Sequence, residues 1–420
     1  MTSACAPASA ALKKAGIVGR FADSARLDST APAAPTRAHP GRERIPFIKP
    51  CLGNEERDAV LRVLESGQLG GNGPIARQLE TLIQERFGVR RALLTTSCSH
   101  ALEMAAMVLN LRPGDEVIMP SFGFVTSATS VVRQGARPVF AEVNEDTFNL
   151  DAGDAAQRIT PRTRAILCVH YAGHACDMDA LMRLAQLYGL AVIEDAAQAV
   201  GARFNGRHLG TIGHMGCFSF HVTKNVICGE GGAFLTGDHA IAERAEIIRE
   251  KGTDRSRFLR GAVDKYTWVD DGSSFVLSDL LAAVALAQFS KLEDMQQQRQ
   301  RIWQRYQDGL ADLAAQGYIQ LPVVDERAEP NWHIYAFRVA NAAQRDRALA
   351  DLKQRSIDAT FHFVPLHSAP YSRASWGYRA DDLPITERVA ASLIRLPIYP
   401  DLSRADQDYI IDTVREVLSC

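Results

Sequence analysis

The feature that most constrains the fold of this 420-residue chain is an alternation of short apolar runs with helix-length segments. Seven such runs, rich in Val, Ile, Leu or Phe, occupy residues 92–95, 116–119, 137–143, 164–170, 190–194, 216–220 and 232–236. Strands that are buried on both faces of a parallel sheet have this continuous apolar character, and parallel pairing requires long connections. We therefore predict an α/β fold with a mostly parallel, seven-stranded sheet covered by helices.

The pattern changes near residue 289, which indicates a second domain. A long charged helix is expected at 296–313, followed by a strand at 333–339 and a helix at 344–355. We predict a large domain over 45–290 and a smaller C-terminal α+β domain over 291–420, because a chain of this size exceeds one ordinary core.

The first 44 residues differ in composition from the rest of the chain. Ala, Pro, Ser, Thr and Arg dominate residues 1–44 without a sustained hydrophobic period. Such a stretch buries too little apolar surface to offset the entropy of ordering, so we predict a disordered N-terminal extension. Its basic character is weakly similar to that of a transit peptide, but Asp23, Asp28 and the missing amphipathic helix count against that interpretation.

Charge and cysteine usage exclude several classes of function. A formal net charge of −2 gives no electrostatic reason to bind nucleic acid or an anionic membrane. No run of about eighteen apolar residues occurs, so no segment is expected to span a bilayer. The eight cysteines show no metal-ligand spacing. We therefore expect reduced buried thiols, no metal and a cytoplasmic location.

Lys224 carries the clearest chemical signal. It lies in the segment 219–225, Ser-Phe-His-Val-Thr-Lys-Asn, shortly before the glycine-rich segment 229–232. A lysine between a strand and a glycine-rich turn can be desolvated and become nucleophilic, whereas the alternative is a surface lysine with its stem on apolar neighbours. Ser219 offers a hydroxyl for a phosphate. This arrangement is what a pyridoxal phosphate enzyme needs to bind its cofactor covalently.

Residues at the ends of other apolar runs complete the pattern. Asp195 can bond a pyridine nitrogen and keep it protonated, or it can simply cap a helix. Gln198 can meet the ring oxygen or pack, and Phe124 can stack on the ring or belong to the core. Residues 95–102 lead from a strand into a helix whose free N–H groups, with Ser97 and Ser99, suit a phosphate, although an ordinary helix cap is the alternative. A nicotinamide dehydrogenase is disfavoured because no strand leads into a G-x-G-x-x-G helix start.

These motifs resemble those of the DegT/DnrJ/EryC1/StrS family of sugar aminotransferases. Glu-Asp-Ala-Ala-Gln at 194–198, Ser-Phe-x-x-x-Lys-Asn at 219–225 and Gly-Glu-Gly-Gly at 229–232 stand in the family's order and spacing. The resemblance runs from residue 45 to the C-terminus. It implies the type I aspartate aminotransferase fold, pyridoxal 5′-phosphate as cofactor and a homodimer with composite active sites.

The resemblance also assigns roles to individual residues. The cofactor would be held by Lys224 covalently, Asp195 at the ring nitrogen, Gln198 at the ring oxygen, Phe124 by stacking, and Ser219, Cys98 and Ser99 at the phosphate. Many members also extend an asparagine from the second subunit to the phosphate. Here the corresponding segment, 272–277, reads Gly-Ser-Ser-Phe-Val-Leu, so Ser274 takes that position and the contact is expected to weaken.

The activity implied by the resemblance is amino transfer from L-glutamate to C4 of a nucleotide-linked 4-keto-6-deoxy sugar. The expected sugar is dTDP-linked, with a galacto product for cell-surface polysaccharide, and a UDP- or GDP-linked sugar is the alternative. A lysine at position 224 favours transamination over the related sugar dehydratases, which have histidine there. Substrate contacts are expected from Lys251, Arg255, His333 and His362, although a solvated helix face and structural histidines, including His367, are the alternatives.

Overall fold

The structure is a computed structural model that describes residues 43–419. Residues 1–42 of the predicted disordered extension lie outside the described residues. Arg44 is described, and its guanidinium lies 2.8 Å from the carboxylate of Asp358 near the C-terminal part of the chain.

Helices and short strands alternate along the first two hundred described residues. The strands are β1 (Arg91–Thr95), β2 (Glu116–Pro120), β3 (Arg137–Ala141), β4 (Thr163–Val169), β5 (Ala191–Asp195), β6 (Arg203–Phe204), β7 (Arg207–His208), β8 (Met215–Ser219), β9 (Gly232–Thr236), β10 (Ala328–Glu329), β11 (Tyr335–Arg338) and β12 (Leu393–Leu396). The α-helices are Asn54–Ser66, Pro74–Phe87, Cys98–Val108, Val125–Val132, Ala152–Gln157, Met178–Tyr188, His239–Arg249, Arg255–Leu259, Asp279–Ser290, Leu292–Ala315, Ala342–Gln354, Pro370–Trp376, Pro384–Ser392 and Arg404–Leu418. Two 3₁₀ turns lie at Tyr171–Gly173 and Ala380–Asp382.

Seven strands form the central sheet in the order β1-β9-β8-β5-β4-β2-β3. β2, β3, β4, β5 and β8 pair in parallel, whereas β9 runs antiparallel to both β8 and β1. The predicted α/β fold with a mostly parallel seven-stranded sheet is therefore confirmed. Alternate residues of β4 enter two different cores: Ile166 packs on one side of the sheet and Leu167 on the other. Burial of both faces explains why the strands are apolar along their whole length.

Several strands that are followed or preceded by polar residues meet at one edge of this sheet. β1, β5 and β8 all end there, and β9 begins there, since Gly232 pairs with both Thr95 and Ser219. A Cβ atom on Gly232 would lie 2.5 Å from the backbone nitrogen of Cys98. Only glycine allows β9 to approach the start of the next helix this closely.

The C-terminal part of the chain has its own apolar core. β11 and β12 pair antiparallel, and the long helix Leu292–Ala315 and the last helix, Arg404–Leu418, pack against them. Ile45 belongs to this core and forms a parallel bridge with Ile357. The division into domains at 45–290 and 291–420 stays a prediction, and Ile45 itself packs with the C-terminal part.

No helix within residues 43–419 combines the length and the apolar character needed to cross a membrane.

Candidate active site

A cleft of about 680 Å³ opens at the polar edge of the sheet, between the sheet and the C-terminal part of the chain. This volume is in the range of small-molecule sites. Seven residues with predicted cofactor roles line it together, namely Cys98, Ser99, Phe124, Asp195, Gln198, Ser219 and Lys224. Parallel strands place their carboxyl ends at one edge, which brings residues that are far apart in sequence into one site.

Lys224 is held in a loop that is closed by main-chain hydrogen bonds. The N–H of Val222 donates to Gly229 at 2.9 Å, and the N–H of Cys228 donates to Phe220 at 2.8 Å. Burial lowers the pKa of the Lys224 ammonium, and the nearby charge of Arg395 lowers it further, against the opposing effect of Asp195. The lower pKa increases the fraction of neutral amine, which is the form that attacks a carbonyl and accepts a proton.

Asp195 ends β5 with its side chain buried beneath the cleft. Ser127 Oγ donates to Asp195 Oδ2 at 2.6 Å, and the N–H of Ala197 donates to Asp195 Oδ1 at 3.2 Å. Among residues 43–419 no lysine, arginine or histidine forms an ion pair with this carboxylate. A carboxyl group whose hydrogen bonds come only from a hydroxyl and a main-chain N–H is well suited to bind a protonated ring nitrogen.

The adjacent Glu194 points away from Asp195, because successive side chains of a strand point to opposite faces of the sheet. Its buried carboxylate accepts the N–H groups of Gly210 and Ile212, each at 2.7 Å, and lies 2.9 Å from Nε2 of His170. Glu194 therefore stabilises the loop that leads into β8, while Asp195 faces the cleft.

Gln198 is oriented by one main-chain contact. Its Oε1 accepts the N–H of Ala172 at 2.7 Å, which leaves the amide N–H groups as donors. Ala172 has a φ of 59°, in the left-handed region, and this turn directs its N–H at Gln198. Because Gln198 lines the cleft, its free donors suit an anionic ring oxygen.

Neutral donors surround the place predicted for the phosphate. Ser97 caps the helix Cys98–Val108 by accepting the N–H of His100 at 3.1 Å, so the N–H groups of Cys98 and Ser99 remain outside the intrahelical pattern. Burial raises the pKa of the Cys98 thiol well above its usual range and keeps that side chain uncharged. With Ser219 at the end of β8, this helix start suits a phosphate group.

Phe124 lies at the rim of the cleft, directly before the helix Val125–Val132. Its side chain is 57% exposed, and its ring centroid lies 6.4 Å from that of Phe363. A large ring that is left uncovered at a cleft is available to stack on a flat ligand.

His333 and His362 form the opposite wall as neutral imidazoles. Asn225 Oδ1 lies 2.8 Å from His333 Nδ1, and burial holds the pKa of His333 well below its usual value. His362 Nε2 accepts a hydrogen bond from Arg395, because a guanidinium can only donate, so the proton of His362 is on Nδ1. Burial, with the charge of Arg395, lowers the pKa of His362 to about 2.

Three residues with predicted roles lie outside the cleft of their own chain. Lys251 and Arg255 each approach the carboxylate of Glu250 at 3.8 Å, and their side chains are about half exposed. Ser274 is exposed, and its backbone forms a bridge with Glu250. The buried His367 bonds Ser121 at 2.7 Å and likewise does not line the cleft.

Sequence analysis missed several residues that line or support the site. They are Phe47, Thr126, Ser127, His221, Phe363 and Arg395. Of these, Arg395 had a readable signal, since a charged residue inside the apolar run 393–396 is unusual unless it binds something.

The fold and the site together define a pyridoxal phosphate-dependent enzyme. Three features fit this cofactor: a lysine with a lowered pKa, a buried carboxylate that forms no ion pair within residues 43–419, and a helix start whose side chains are uncharged. Lys224 would hold the cofactor, Asp195 its ring nitrogen, and Ser219 with the helix start its phosphate.

Comparisons with known proteins agree with this class. The sequence profile of the DegT/DnrJ/EryC1/StrS aminotransferase family matches residues 50–415. SpsC of Bacillus subtilis, a spore coat polysaccharide biosynthesis protein, is 34% identical over 381 residues, covering 89% of this chain and 97% of SpsC.

Solved structures are similar over the same range. S. venezuelae DesV, solved with a ketimine intermediate, is 36% identical with a TM-score of 0.82, covering 90% of this chain and 100% of DesV. The PLP form of Spr1654 from Streptococcus pneumoniae, a sugar aminotransferase by its description, is 26% identical with a TM-score of 0.82, covering 90% of this chain and 99% of Spr1654. The chain belongs to the DegT/DnrJ/EryC1/StrS aminotransferase family, and the resemblance stated from its motifs is confirmed. It is a PLP-dependent enzyme of a sugar aminotransferase family.

Proposed function

We propose that this protein transfers the amino group of L-glutamate to C4 of dTDP-4-dehydro-6-deoxy-D-glucose, giving dTDP-4-amino-4,6-dideoxy-D-galactose and 2-oxoglutarate in the cytoplasm. The observation that carries the proposal is a cleft that pairs Lys224 with Asp195. Its far wall carries His333 and His362 as neutral imidazoles, which can form hydrogen bonds with the hydroxyl groups of a sugar.

Two sequence similarities to other proteins support the proposed substrate and pathway. Segments 170–173, 209–214, 247–253 and 264–268 are similar to those of dTDP-4-amino-4,6-dideoxygalactose transaminase, an enzyme of enterobacterial common antigen synthesis. SpsC, which is 34% identical, is named for polysaccharide biosynthesis. A role in making cell-surface polysaccharide follows from the proposal.

The chain's own residues explain both halves of the reaction. Bound pyridoxal phosphate supplies an electron sink that stabilises negative charge on the reacting carbon. Asp195 would hold the proton on the ring nitrogen, because its carboxyl oxygens are hydrogen-bond acceptors buried beneath the cleft. Lys224 would take the proton from Cα of glutamate and, in the second half, deliver a proton to C4 of the sugar. The face from which Lys224 delivers it sets the axial or equatorial amine.

Turnover of matched keto sugars tests the proposal. dTDP-, UDP- and GDP-linked 4-keto-6-deoxy sugars are supplied with L-glutamate, and NMR identifies the configuration of the new amine. We expect the highest kcat/KM with the dTDP sugar, one 2-oxoglutarate per amino sugar and an axial amine at C4. Faster turnover of a UDP- or GDP-linked sugar would contradict dTDP as the nucleotide. An equatorial amine would contradict the galacto product. Release of ammonia without 2-oxoglutarate would indicate a lyase or dehydratase.

We also propose a homodimer in which each active site receives Ser274 from the partner. Ser274 is exposed and lies outside its own cleft, and the chain before it presents apolar side chains to solvent. Among these, Leu259, Tyr266 and Trp268 are 62%, 52% and 79% exposed. Large exposed apolar side chains that occur close together in the chain are typical of a segment covered by a subunit interface.

A complementation experiment checks the composite site. A Lys224→Ala chain and a Ser274→Trp chain should each be inactive as homodimers. In a randomly exchanged equimolar mixture half of the dimers are mixed. One of the two sites in each mixed dimer combines an intact Lys224 with an intact Ser274 from the partner. About a quarter of wild-type activity should therefore return. Mass spectrometry verifies the exchange. Full activity of Ser274→Trp alone, or no recovery after exchange, contradicts the shared site.

A further inference from the structure

Three side chains that can bind a metal ion meet near the end of β4, within the described part of the chain. They are Cys168 in β4, His170 directly after the strand and Cys176 after the following turn. The two Sγ atoms and one ring nitrogen lie within 4.8 Å of one another, and all three residues are fully buried. An ion at the centre of such a triangle is at most roughly 2.8 Å from each atom, so shifts of less than about 1 Å give the usual zinc–ligand distances.

This cluster lies on the opposite face of the sheet from the cofactor cleft. Cys168 pairs with Glu194 between β4 and β5, and the following residues, Val169 and Asp195, form the next pair. Successive side chains of a strand point to opposite faces of a sheet. Val169 and Asp195 line the cleft, so Cys168 and Glu194 point away from it. An ion bound by the cluster is therefore separate from the reacting groups.

His170 is already oriented as a metal ligand. Its Nδ1 accepts the main-chain N–H of Cys176 at 3.2 Å, so Nδ1 carries a lone pair and the proton is on Nε2. Nε2 donates to the carboxylate of Glu194 at 2.9 Å. The main-chain N–H groups of Gly210 and Ile212 hold that carboxylate in place. Histidines that bind metals commonly donate their second ring N–H to a carboxylate, because this fixes the ring and raises its basicity.

We propose that Cys168, His170 and Cys176 form a structural zinc site. Thiolates and imidazole favour Zn²⁺ over Mg²⁺ or Ca²⁺, which prefer oxygen ligands. Each thiol loses its proton to solvent as a Zn–S bond forms, and Zn²⁺ with two thiolates has no net charge. Cu⁺ with the same ligands would leave one buried negative charge, which is unfavourable. The main-chain oxygen of Val169, 3.2 Å from Cys176 Sγ, can fill the fourth tetrahedral position.

The zinc ion connects segments that support the cofactor cleft from behind. It joins the end of β4 to the residues before the helix Met178–Tyr188, across the turn Tyr171–Gly173. That turn presents the N–H of Ala172 to Gln198 in the cleft. Since the three ligands come together only in the folded chain, zinc binding stabilises the fold. This inference goes beyond the proposed aminotransfer and does not depend on it.

Metal analysis of the holoenzyme tests the site. The protein is expressed with Zn²⁺ in the medium, dialysed against metal-free buffer and analysed by mass spectrometry for zinc and by X-ray absorption for its ligands. We expect about one zinc ion per chain, with two sulfur ligands at about 2.3 Å and one nitrogen ligand at about 2.0 Å. Protein produced in zinc-depleted medium should unfold at a temperature about 3 °C or more lower.

Substitutions at single cysteines separate this site from other zinc-binding groups. Cys168→Ser and Cys176→Ser each remove one sulfur ligand with little change in volume. Cys217→Ser, at another fully buried cysteine outside the cluster, is the matched control. Each ligand variant should bind zinc at least about 10-fold more weakly in competition with a chelating dye, and its unfolding temperature should no longer depend on zinc. Cys217→Ser should keep both the zinc and the shift. If the ligand variants do not fold, the absorption spectrum of wild-type zinc decides alone.

Three results would overturn the proposal. Wild-type protein that is free of zinc, or that holds zinc through oxygen and nitrogen alone, has an adventitious ion only or none. Zinc held equally well by Cys168→Ser, Cys176→Ser and wild type contradicts the ligand set. A disulfide between Cys168 and Cys176 in freshly purified protein, found by mass spectrometry without reduction, also contradicts it. Turnover of the keto sugars is measured separately, so none of these results decides the proposed function.

Discussion

Lys224→Ala will abolish turnover, with a loss on the order of 10⁴-fold or more, because one amine both attaches the cofactor and moves the substrate proton. Borohydride reduction of the wild-type protein followed by peptide mapping should place the pyridoxyl group on Lys224. Lys353→Ala, a change at an exposed helix position, is the control and should behave as wild type. A pyridoxyl group on another lysine would refute the assignment.

Asp195→Asn should lower kcat roughly 100-fold or more while the protein stays folded, because an amide cannot hold the ring nitrogen in its protonated form. Circular dichroism and thermal unfolding check the fold, and cofactor absorbance checks retention of pyridoxal phosphate.

Ser127→Ala is the matched control for the carboxylate. It removes the 2.6 Å hydrogen bond to Asp195 but keeps the acid, so a loss of about tenfold or less is expected. Turnover of Asp195→Asn close to that of wild type would remove the carboxylate from the mechanism.

Much of the fold was predictable because its physical causes are local. A strand buried on both faces must be apolar throughout, so the seven strands of the central sheet could be recognised in the sequence as continuous apolar runs. Their order was not visible, since β9 lies between β1 and β8 and reverses direction. That arrangement depends on which faces pack together, and no short segment contains that information.

Some residues of the site could likewise be predicted from their local sequence, and others could not. Lys224 precedes a glycine-rich turn, and Asp195 ends an apolar run, so a position within one segment already suggested chemistry for each. Strand alternation alone does not say whether Glu194 or Asp195 faces the ligand. The structure shows that Asp195 faces the ligand, because the carboxylate of Glu194 already accepts the main-chain N–H groups of Gly210 and Ile212.

What the sequence by itself determined is therefore the class of fold, the family and the residues whose chemistry depends on their immediate neighbours. Only the tertiary structure decided the roles of Ser127, His362 and Arg395, because each depends on a partner far along the chain. Ser127 meets an acid 68 residues away, and His362 meets a guanidinium 33 residues away. Charge compensation and hydrogen-bond satisfaction are properties of the packed molecule, so the partners of a buried polar side chain become visible only after folding has brought its neighbours together.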